Sequence, residues 1–131
     1  MTQFNQPSDA DKAALIAELR QSGIKHTPEK ILRIAKLSDG KIVFLELGDN
    51  ESGLQHILKE HSRNFVDVGI SPEQIPDVVM AAVTMGRFVH YQGRSRTRLI
   101  YELTFNDQTH YIAVTIGSNG YIVGANPRTS P

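Results

Sequence analysis

The sequence of 131 residues contains no cysteine and no tryptophan. Without cysteine, disulfide bonds and thiolate catalysis are excluded, and a zinc site would have to use histidine and carboxylate ligands. The 14 basic residues balance the 14 acidic ones, so net charge does not steer the molecule toward nucleic acid or membrane. No run approaches the roughly 18 apolar residues that cross a bilayer, and residues 1–11 lack the basic and apolar regions of a signal peptide. We therefore expect a soluble protein without a membrane partner, in which a local patch binds any anionic ligand.

The composition is typical of one globular domain, with 40% hydrophobic residues and 21% charged residues. A chain of this length buries enough surface to form a hydrophobic core. Neither a repeat nor a break in composition indicates a second domain. Residues 1–131 are therefore treated as one domain, with an N-terminal helix and lead-in over 1–24 and the core over 25–128.

Apolar periodicity changes along the chain from the helical value to the strand value. A capping box of Ser52 and Gln55 is expected to open the second helix, and Asp39-Gly40 is typical of a hairpin turn. The predicted helices cover about 8–21, 52–65 and 76–85, and the predicted strands cover about 31–37, 41–47, 87–92, 97–105, 108–116 and 121–125. This order predicts an α+β fold, with the helices collected on one face of an antiparallel meander.

Strand alternation separates an apolar face of the meander from a polar one. The apolar set comprises Leu99, Tyr101, Leu103, Phe105, Ile112, Val114 and Ile116. The opposite set includes Arg98, Glu102, Tyr111 and Thr115. The polar face is either an ordinary solvated sheet face or a concave surface on which chemistry takes place.

An arginine cluster interrupts the even distribution of charge. Arg87, Arg94, Arg96 and Arg98 lie within twelve residues that contain no acidic residue. Guanidinium groups bind phosphate through planar donor forks, and nearby tyrosines can stack on unpaired bases. The cluster predicts an RNA-binding patch, and the alternative is a hairpin kept solvated by charge. Arg98 is the arginine expected to face the polar surface.

The histidines have several possible roles. His61 lies on the apolar stripe of its helix, where it is either a core residue or a catalytic acid or base. His56 lies five residues earlier, about 140° around the helix, so the two cannot bind one metal ion as an i, i+4 pair does. We therefore expect no metal and no other cofactor. His26 is interpreted as incidental.

One set of segments resembles a known family. These are 53–61 (GLQHILKEH), Phe65, 69–72 (GISP), Gly86, 113–116 (AVTI) and 119–123 (NGYIV). Together they are similar to toxin nuclease domains of the barnase, EndoU, colicin and RelE-like superfamily. The resemblance is to the C-terminal toxin domains of contact-dependent growth inhibition and other polymorphic toxin systems, and covers roughly residues 25–128.

The resemblance implies a small α+β ribonuclease that cleaves RNA, with transfer RNA as the expected substrate, without a metal. The active site would lie on the sheet face opposite the helices. His61 matches the second histidine of the motif and is the first choice for acid/base chemistry, and His56 matches the first. Thr115 matches a hydroxyl residue that binds the scissile phosphate.

RNA supplies its own nucleophile, so a ribonuclease needs a base near the 2'-hydroxyl, donors for the charged phosphate and an acid for the leaving oxygen. The product would carry a 2',3'-cyclic phosphate. His61 is predicted to act as base or acid, and Arg98 with Arg94 or Arg96 to stabilise the phosphate. The positioning hydroxyls are predicted to be Thr115 and Tyr111. Further RNA contacts are assigned to Lys59, Asn119 and Tyr121.

Two alternatives stay open. One is a non-catalytic RNA-binding or interaction module that uses the same arginine and tyrosine surface, and the other is an immunity or antitoxin protein. The toxin interpretation predicts a monomer when free, delivered as part of a larger secreted or surface protein and acting in the cytoplasm of a target cell. Its expected partners are RNA, an acidic cognate immunity protein and a host translation factor.

Overall fold

The computed structural model describes residues 4–94 and 96–131. The helices are α1 (Asp9–Gln21), α2 (Leu54–Asp67) and α3 (Ile75–Met85), with short 3-10 helices at Pro28–Lys30 and Pro72–Gln74. The strands are β1 (Ile31–Lys36), β2 (Ile42–Glu46), β3 (Arg87–Tyr91), β4 (Arg98–Phe105), β5 (Gln108–Ile116) and β6 (Ile122–Arg128). The predicted α+β class is confirmed.

The first helix packs on the β1–β2 hairpin and forms a core of its own there. Ser8 caps the helix, because its hydroxyl accepts a hydrogen bond from the Asp11 amide at 3.2 Å. Leu19 is fully buried and packs with hairpin residues, and the resulting small core comprises Leu19, Ile31, Ile34, Ile42 and Phe44. The N-terminal helices therefore do not all cover the central sheet as predicted, since α1 covers the hairpin.

The second helix begins differently from the sequence prediction. Gly53, not Ser52, is the capping residue, and its φ of +82° suits glycine. The Gly53 amide donates to the Val123 carbonyl at 2.9 Å, so the helix starts attached to the outer strand β6. A Cβ atom on Gly53 would lie 2.9 Å from the Glu46 carbonyl oxygen. The predicted capping box is wrong, because the Ser52 hydroxyl bonds to the Tyr121 hydroxyl instead, at 2.9 Å.

The third helix follows a short lead-in turn. A capping box joins Ser71 and Gln74 around Pro72, and α3 follows with almost every residue of its first two turns buried. Helices α2 and α3 both pack on the apolar face of the meander, and Phe65 of α2 is fully buried in this main core. The predicted apolar set of the meander is confirmed, since its residues belong to this core or pack against it.

The meander is a four-stranded antiparallel sheet in the order β3-β4-β5-β6, and the hairpin forms a separate two-stranded sheet. The two sheets meet where the Phe44 amide donates to the Gly120 carbonyl at 3.0 Å. Strand β6 continues to Arg128, whereas the sequence predicted its end at 125. Pro127 is tolerated because β6 is an outer strand.

We expect Gly120→Ala to weaken the attachment of the hairpin to the meander. At φ +92° an added Cβ would lie 2.0 Å from the Ile42 carbonyl oxygen, so the change combines backbone strain with a backbone clash. Gly40→Ala is the matched control, since Gly40 has φ +91° and open space around it. Strain alone costs about 1–3 kcal/mol, and we expect Gly120→Ala to exceed the control clearly in urea-unfolding free energy. Equal losses would show that this contact does not hold the hairpin.

Candidate functional site

The polar face of the meander is the surface opposite α2 and α3. Strand register arranges its side chains in rows, because residues paired across antiparallel strands point to the same face. From β3 to β6 the rows are Gln92, Arg98, Thr115 and Gly124; His90, Ile100, Ala113 and Asn126; and Arg87, Glu102, Tyr111 and Arg128. We call this surface the polar face, and its residues derive from all four strands.

The middle row forms an apolar floor beneath charged side chains. Ile100 and Ala113 are fully buried although they lie on the polar face. The Arg128 side chain reaches from its own row to the first one, where its Nη1 donates to the Gln92 Oε1 at 2.8 Å. Arg128 therefore crosses the floor diagonally, and its guanidinium lies over an apolar surface rather than in bulk solvent.

Arg98 and Arg128 form a pair of cations on this face. Arg98 donates through Nη1 to the Thr115 hydroxyl of the neighbouring strand. Burial, and secondarily the positive charge of Arg128, lower the pKa of Arg98 below its ordinary value. In the described part of the chain the ion pairs are Arg33–Asp77, Lys36–Glu18 and Arg87–Glu102. Neither Arg98 nor Arg128 belongs to these ion pairs. The two positive charges therefore favour the binding of an anionic ligand.

His56 of α2 extends onto the edge of the polar face. A Cβ atom on Gly124 would lie 3.5 Å from His56 Cδ2 and 3.7 Å from Nε2, so the imidazole occupies the space that glycine leaves. Gly124 pairs with Thr115, which in turn bonds Arg98. His56 Nδ1 lies 3.0 Å from the Asn50 carbonyl, which only accepts, so Nδ1 is the protonated nitrogen. The Nε2 lone pair is then available as a base.

His61 lies elsewhere, although it was the first choice for acid/base chemistry. Its half-buried ring is bonded through Nδ1 to the Asn64 side chain at 3.0 Å, within the same helix. The His61 and His56 side chains leave the helix in directions about 140° apart around its axis. The structure therefore places His56, and not His61, over Gly124, the strand partner of Thr115.

The remaining predicted RNA contacts lie outside the polar face. Arg94 is exposed in the β3–β4 loop, and the Arg96 guanidinium lies 5.4 Å from the centre of the Tyr91 ring. Lys59 is exposed on α2. Asn119 and Tyr121 line a separate pocket at the β5–β6 turn. The predicted partnership of Arg98 with Arg94 or Arg96 is thus replaced by its pairing with Arg128.

Glu102 links two neighbours in the third row. It forms an ion pair with Arg87 at 3.2 Å and accepts a hydrogen bond from the Tyr111 hydroxyl. The Glu102 hydrogen bond, and then burial, raise the pKa of Tyr111. Tyr111 therefore stays protonated over the whole neutral range, with its hydroxyl donating to Glu102.

We expect Glu102→Gln to lower the pKa of Tyr111 toward its ordinary value near 10.0. The carboxylate disfavours tyrosinate because it repels that charge and accepts the phenolic proton, whereas the unpaired Arg87 of the variant would favour it. A ¹³C NMR titration of the tyrosine ring resonances measures the change. Tyr101 is the internal control, because burial and Tyr91 raise its pKa and Glu102 does not. An unchanged Tyr111 would contradict the assigned hydrogen bond.

Three contributors to this face were missed in the sequence. The sequence prediction ends the last strand at 125, before Arg128, and it assigns no role to Gln92 at the end of the strand over 87–92. His90 was not assigned a role, yet it is exposed on the polar face at its β3 edge, opposite His56. If the alternation of the two faces is applied to the last strand and continued through Pro127, it places Arg128 on the same face as Tyr111.

Among the described residues, no group of three or more histidine, cysteine, aspartate and glutamate side chains has the arrangement of a metal site. Within residues 4–94 and 96–131, no helix combines the length and apolar character needed to cross a membrane. A comparison with protein-family models and a search of curated proteins found no match to this chain.

Proposed function

We propose that this protein is a metal-independent endoribonuclease whose active site is the polar face. The observation that carries the proposal is the position of the His56 ring over Gly124, the strand partner of Thr115, whose hydroxyl accepts from Arg98. A base near two cations that no carboxylate of the described residues neutralises is the combination that cleavage of a phosphodiester by its own 2'-hydroxyl requires.

His56 acts as the base in this mechanism. Its neutral Nε2 takes the proton of the 2'-hydroxyl while the 2'-oxygen bonds to phosphorus. The bond from phosphorus to the 5'-oxygen then breaks, leaving a 2',3'-cyclic phosphate and a 5'-hydroxyl. Because the Asn50 carbonyl holds Nδ1–H, the imidazole keeps Nε2 as its reactive nitrogen.

The arginine pair binds the phosphate. Its two guanidiniums stabilise the charge that accumulates on the phosphoryl oxygens, over a floor that excludes water and so strengthens the interaction. The Thr115 hydroxyl accepts from Arg98 and keeps its own proton for a phosphoryl oxygen. This agrees with the phosphate-binding role that the resemblance implies for Thr115.

His90 donates the proton to the leaving 5'-oxygen. It lies on β3, about 14 Å at the backbone from β6 for three strand spacings of about 4.8 Å, and the His56 ring lies over Gly124 of β6. Its Nδ1 bonds the Tyr91 carbonyl at 2.9 Å, which leaves Nε2 as the nitrogen for transfer. The two imidazoles flank the arginine pair, as a separate base and acid require.

Tyr111 contacts a neighbouring nucleotide and not the scissile phosphate. It lies four residues from Thr115 on one strand, about 14 Å at the strand rise of about 3.4 Å. The Tyr111 hydroxyl and the Glu102 carboxylate lie in the third row of the polar face, whereas Arg98 and Thr115 lie in the first row. RNA therefore lies along β5, with its reacting phosphate at Thr115.

In this proposal the biological role is that of a toxin. The domain would be delivered as part of a larger protein and act on RNA, with transfer RNA as the expected substrate, in the cytoplasm of a target cell. A cognate immunity protein that covers the polar face would be acidic, because it must complement Arg98 and Arg128. A host translation factor is a further expected partner.

The test is incubation of purified protein with total RNA in the presence of EDTA, followed by mapping of the ends. We expect discrete cuts that persist under chelation and leave 2',3'-cyclic phosphate ends. RNA that is retained but never cut would instead identify a binding module. Protein that neither cuts nor binds RNA, and that protects cells from a co-expressed toxin, would identify an immunity protein.

A further inference from the structure

A cleft lies on the side of the meander opposite the polar face, where the β3–β4 loop, the β5–β6 turn and the β1–β2 turn come together. It has a volume of about 470 Å³. Small-molecule sites have volumes of about 300–1,000 Å³, so the cleft is large enough for one small ligand. The mechanism above uses none of its side chains. The lining that matters here is Val43, Leu99, Tyr91, Tyr101, Lys41 and Arg96.

Three aromatic rings form one wall of the cleft and continue onto the surface beside it. The Phe88 ring lies edge-on to Tyr91 and to Tyr101, with centroids 5.1 Å and 6.3 Å apart. Phe88 is 44% exposed and Tyr91 is 36% exposed. Contiguous exposed rings, unlike single ones, are typical of a binding surface. We call these three rings the aromatic wall.

Tyr101 adds a hydrogen-bond donor to the cleft. The residue is only 8% exposed, and its hydroxyl has no hydrogen-bond partner in the described part of the chain. It is nevertheless not one of the atoms that are buried without a partner, so the hydroxyl reaches the surface of the cleft. Burial, and then Tyr91, raise the pKa of Tyr101, so the hydroxyl keeps its proton at neutral pH.

Lys41 and Arg96 give the cleft a positive charge. Both are exposed, and neither belongs to an ion pair among the described residues. The Arg96 guanidinium lies 5.4 Å from the centre of the Tyr91 ring, which holds it beside the aromatic wall. The acid Asp39 also lines the cleft, and its Oδ1 accepts from the Lys41 amide at 2.9 Å. Two cations outweigh this acid, so the cleft favours an occupant that carries a phosphate.

The cleft adjoins the first row of the polar face. Leu99 lines the cleft, whereas Arg98, the residue before it, points to the polar face. Tyr91 and Gln92 divide between the two sides in the same way on β3. Consecutive Cα atoms are about 3.8 Å apart. An RNA strand with its reacting phosphate at Arg98 therefore reaches the cleft by passing round the end of the sheet.

We propose that this cleft binds the nucleotide next to the scissile phosphate, with its base against the aromatic wall and a phosphate beside Lys41 and Arg96. The proposal rests on the proposed ribonuclease function and extends it to a neighbouring nucleotide of single-stranded RNA. Stacking on a ring tolerates any base, because every base has an aromatic face. The cleft therefore positions the RNA without selecting its sequence.

The experiment is NMR titration of the full chain with the 5'-monophosphates of adenosine, guanosine, cytidine and uridine, and with inorganic phosphate. We expect all four nucleotides to shift the ring resonances of Tyr91 and Tyr101, and phosphate alone to leave them in place. Tyr121 is the internal control, because it lines a different pocket. Tyr91→Ala should weaken nucleotide binding, followed at Tyr101, about 5- to 100-fold, the usual effect of removing a ring from a base stack.

Lys41→Met tests the charge without touching the aromatic wall. Lys30→Met is its matched control, since both lysines are exposed and Lys30 lies outside the cleft. Only Lys41→Met should weaken nucleotide binding. The same binding with both variants as with the natural protein would overturn the phosphate contact and with it the proposal.

The remaining outcomes separate the cleft from the ribonuclease function. No shift at Tyr91 and Tyr101 with any nucleotide would overturn the cleft proposal, and so would shifts that follow protein concentration alone, which identify contact between two copies of the chain. RNA cleavage with a KM that Tyr91→Ala leaves unchanged would also overturn it and keep the ribonuclease. Nucleotide binding in the cleft without RNA cleavage would overturn the ribonuclease assignment and keep the cleft.

Discussion

Replacing His56 by alanine is expected to lower the rate of RNA cleavage by about 10²- to 10⁴-fold, the usual contribution of a general base. We expect the loss because the His56 ring lies over Gly124, the strand partner of the Thr115 that bonds Arg98. The measurement is single-turnover cleavage of an end-labelled RNA. The circular-dichroism spectrum should stay native-like, because His56 is only half-buried and packs against Gly124.

His61→Ala is the matched control on the same helix. His61 bonds only Asn64 in the contacts described, so its removal should change the rate by no more than a few-fold. The opposite result, a large loss with His61→Ala and a small one with His56→Ala, would restore the assignment made from sequence.

Substitution of Arg98 or Arg128 by methionine is expected to lower kcat by about 10²- to 10³-fold each, the usual cost of one donor to a developing anion. The double variant should lose less than the product of the two effects, because both guanidiniums bind one phosphate and therefore couple. Single-turnover cleavage rates of the two single variants and the double variant measure this. Fully multiplicative losses would show that the cations bind separate phosphates.

Arg20→Met controls for the loss of one positive charge, since Arg20 is exposed at the end of α1. It should leave the cleavage rate unchanged. Arg94→Met tests the loop arginine that the sequence nominated. Because Arg94 is exposed and outside the polar face, we expect Arg94→Met to weaken RNA binding and to leave the rate of the cleavage step unchanged. If Arg20→Met lowered the cleavage rate as much as Arg98→Met, the arginine pair would act only through the net charge of the protein and not through contact with the phosphate.

Helix periods and strand alternation predicted the class of fold and the two faces of the meander, because burial imposes those periods on the sequence. The separation of Arg98 and Thr115 from the apolar set follows directly from period two. The same rule did not reach Arg128, because Asn126-Pro127 resembles a break in a strand. Only the position of β6 at the sheet edge makes that proline harmless.

The choice between His56 and His61 could not be made from helical position. Periodicity orients a helix toward its core, but it does not say over which edge of the sheet the helix lies. That depends on Gly53, whose amide bonds β6, and on Gly124, whose missing side chain makes room for the imidazole. Both are long-range contacts between distant segments, and no local pattern encodes them.

The apolar interior divides into two clusters, and the hairpin contributes to both of them. One face of the hairpin packs with α1, whereas Val43 and Leu45 of β2 belong to the core that the meander shares with α2 and α3. The hairpin is therefore anchored on two sides, and removal of α1 alone would leave it attached to the rest of the molecule.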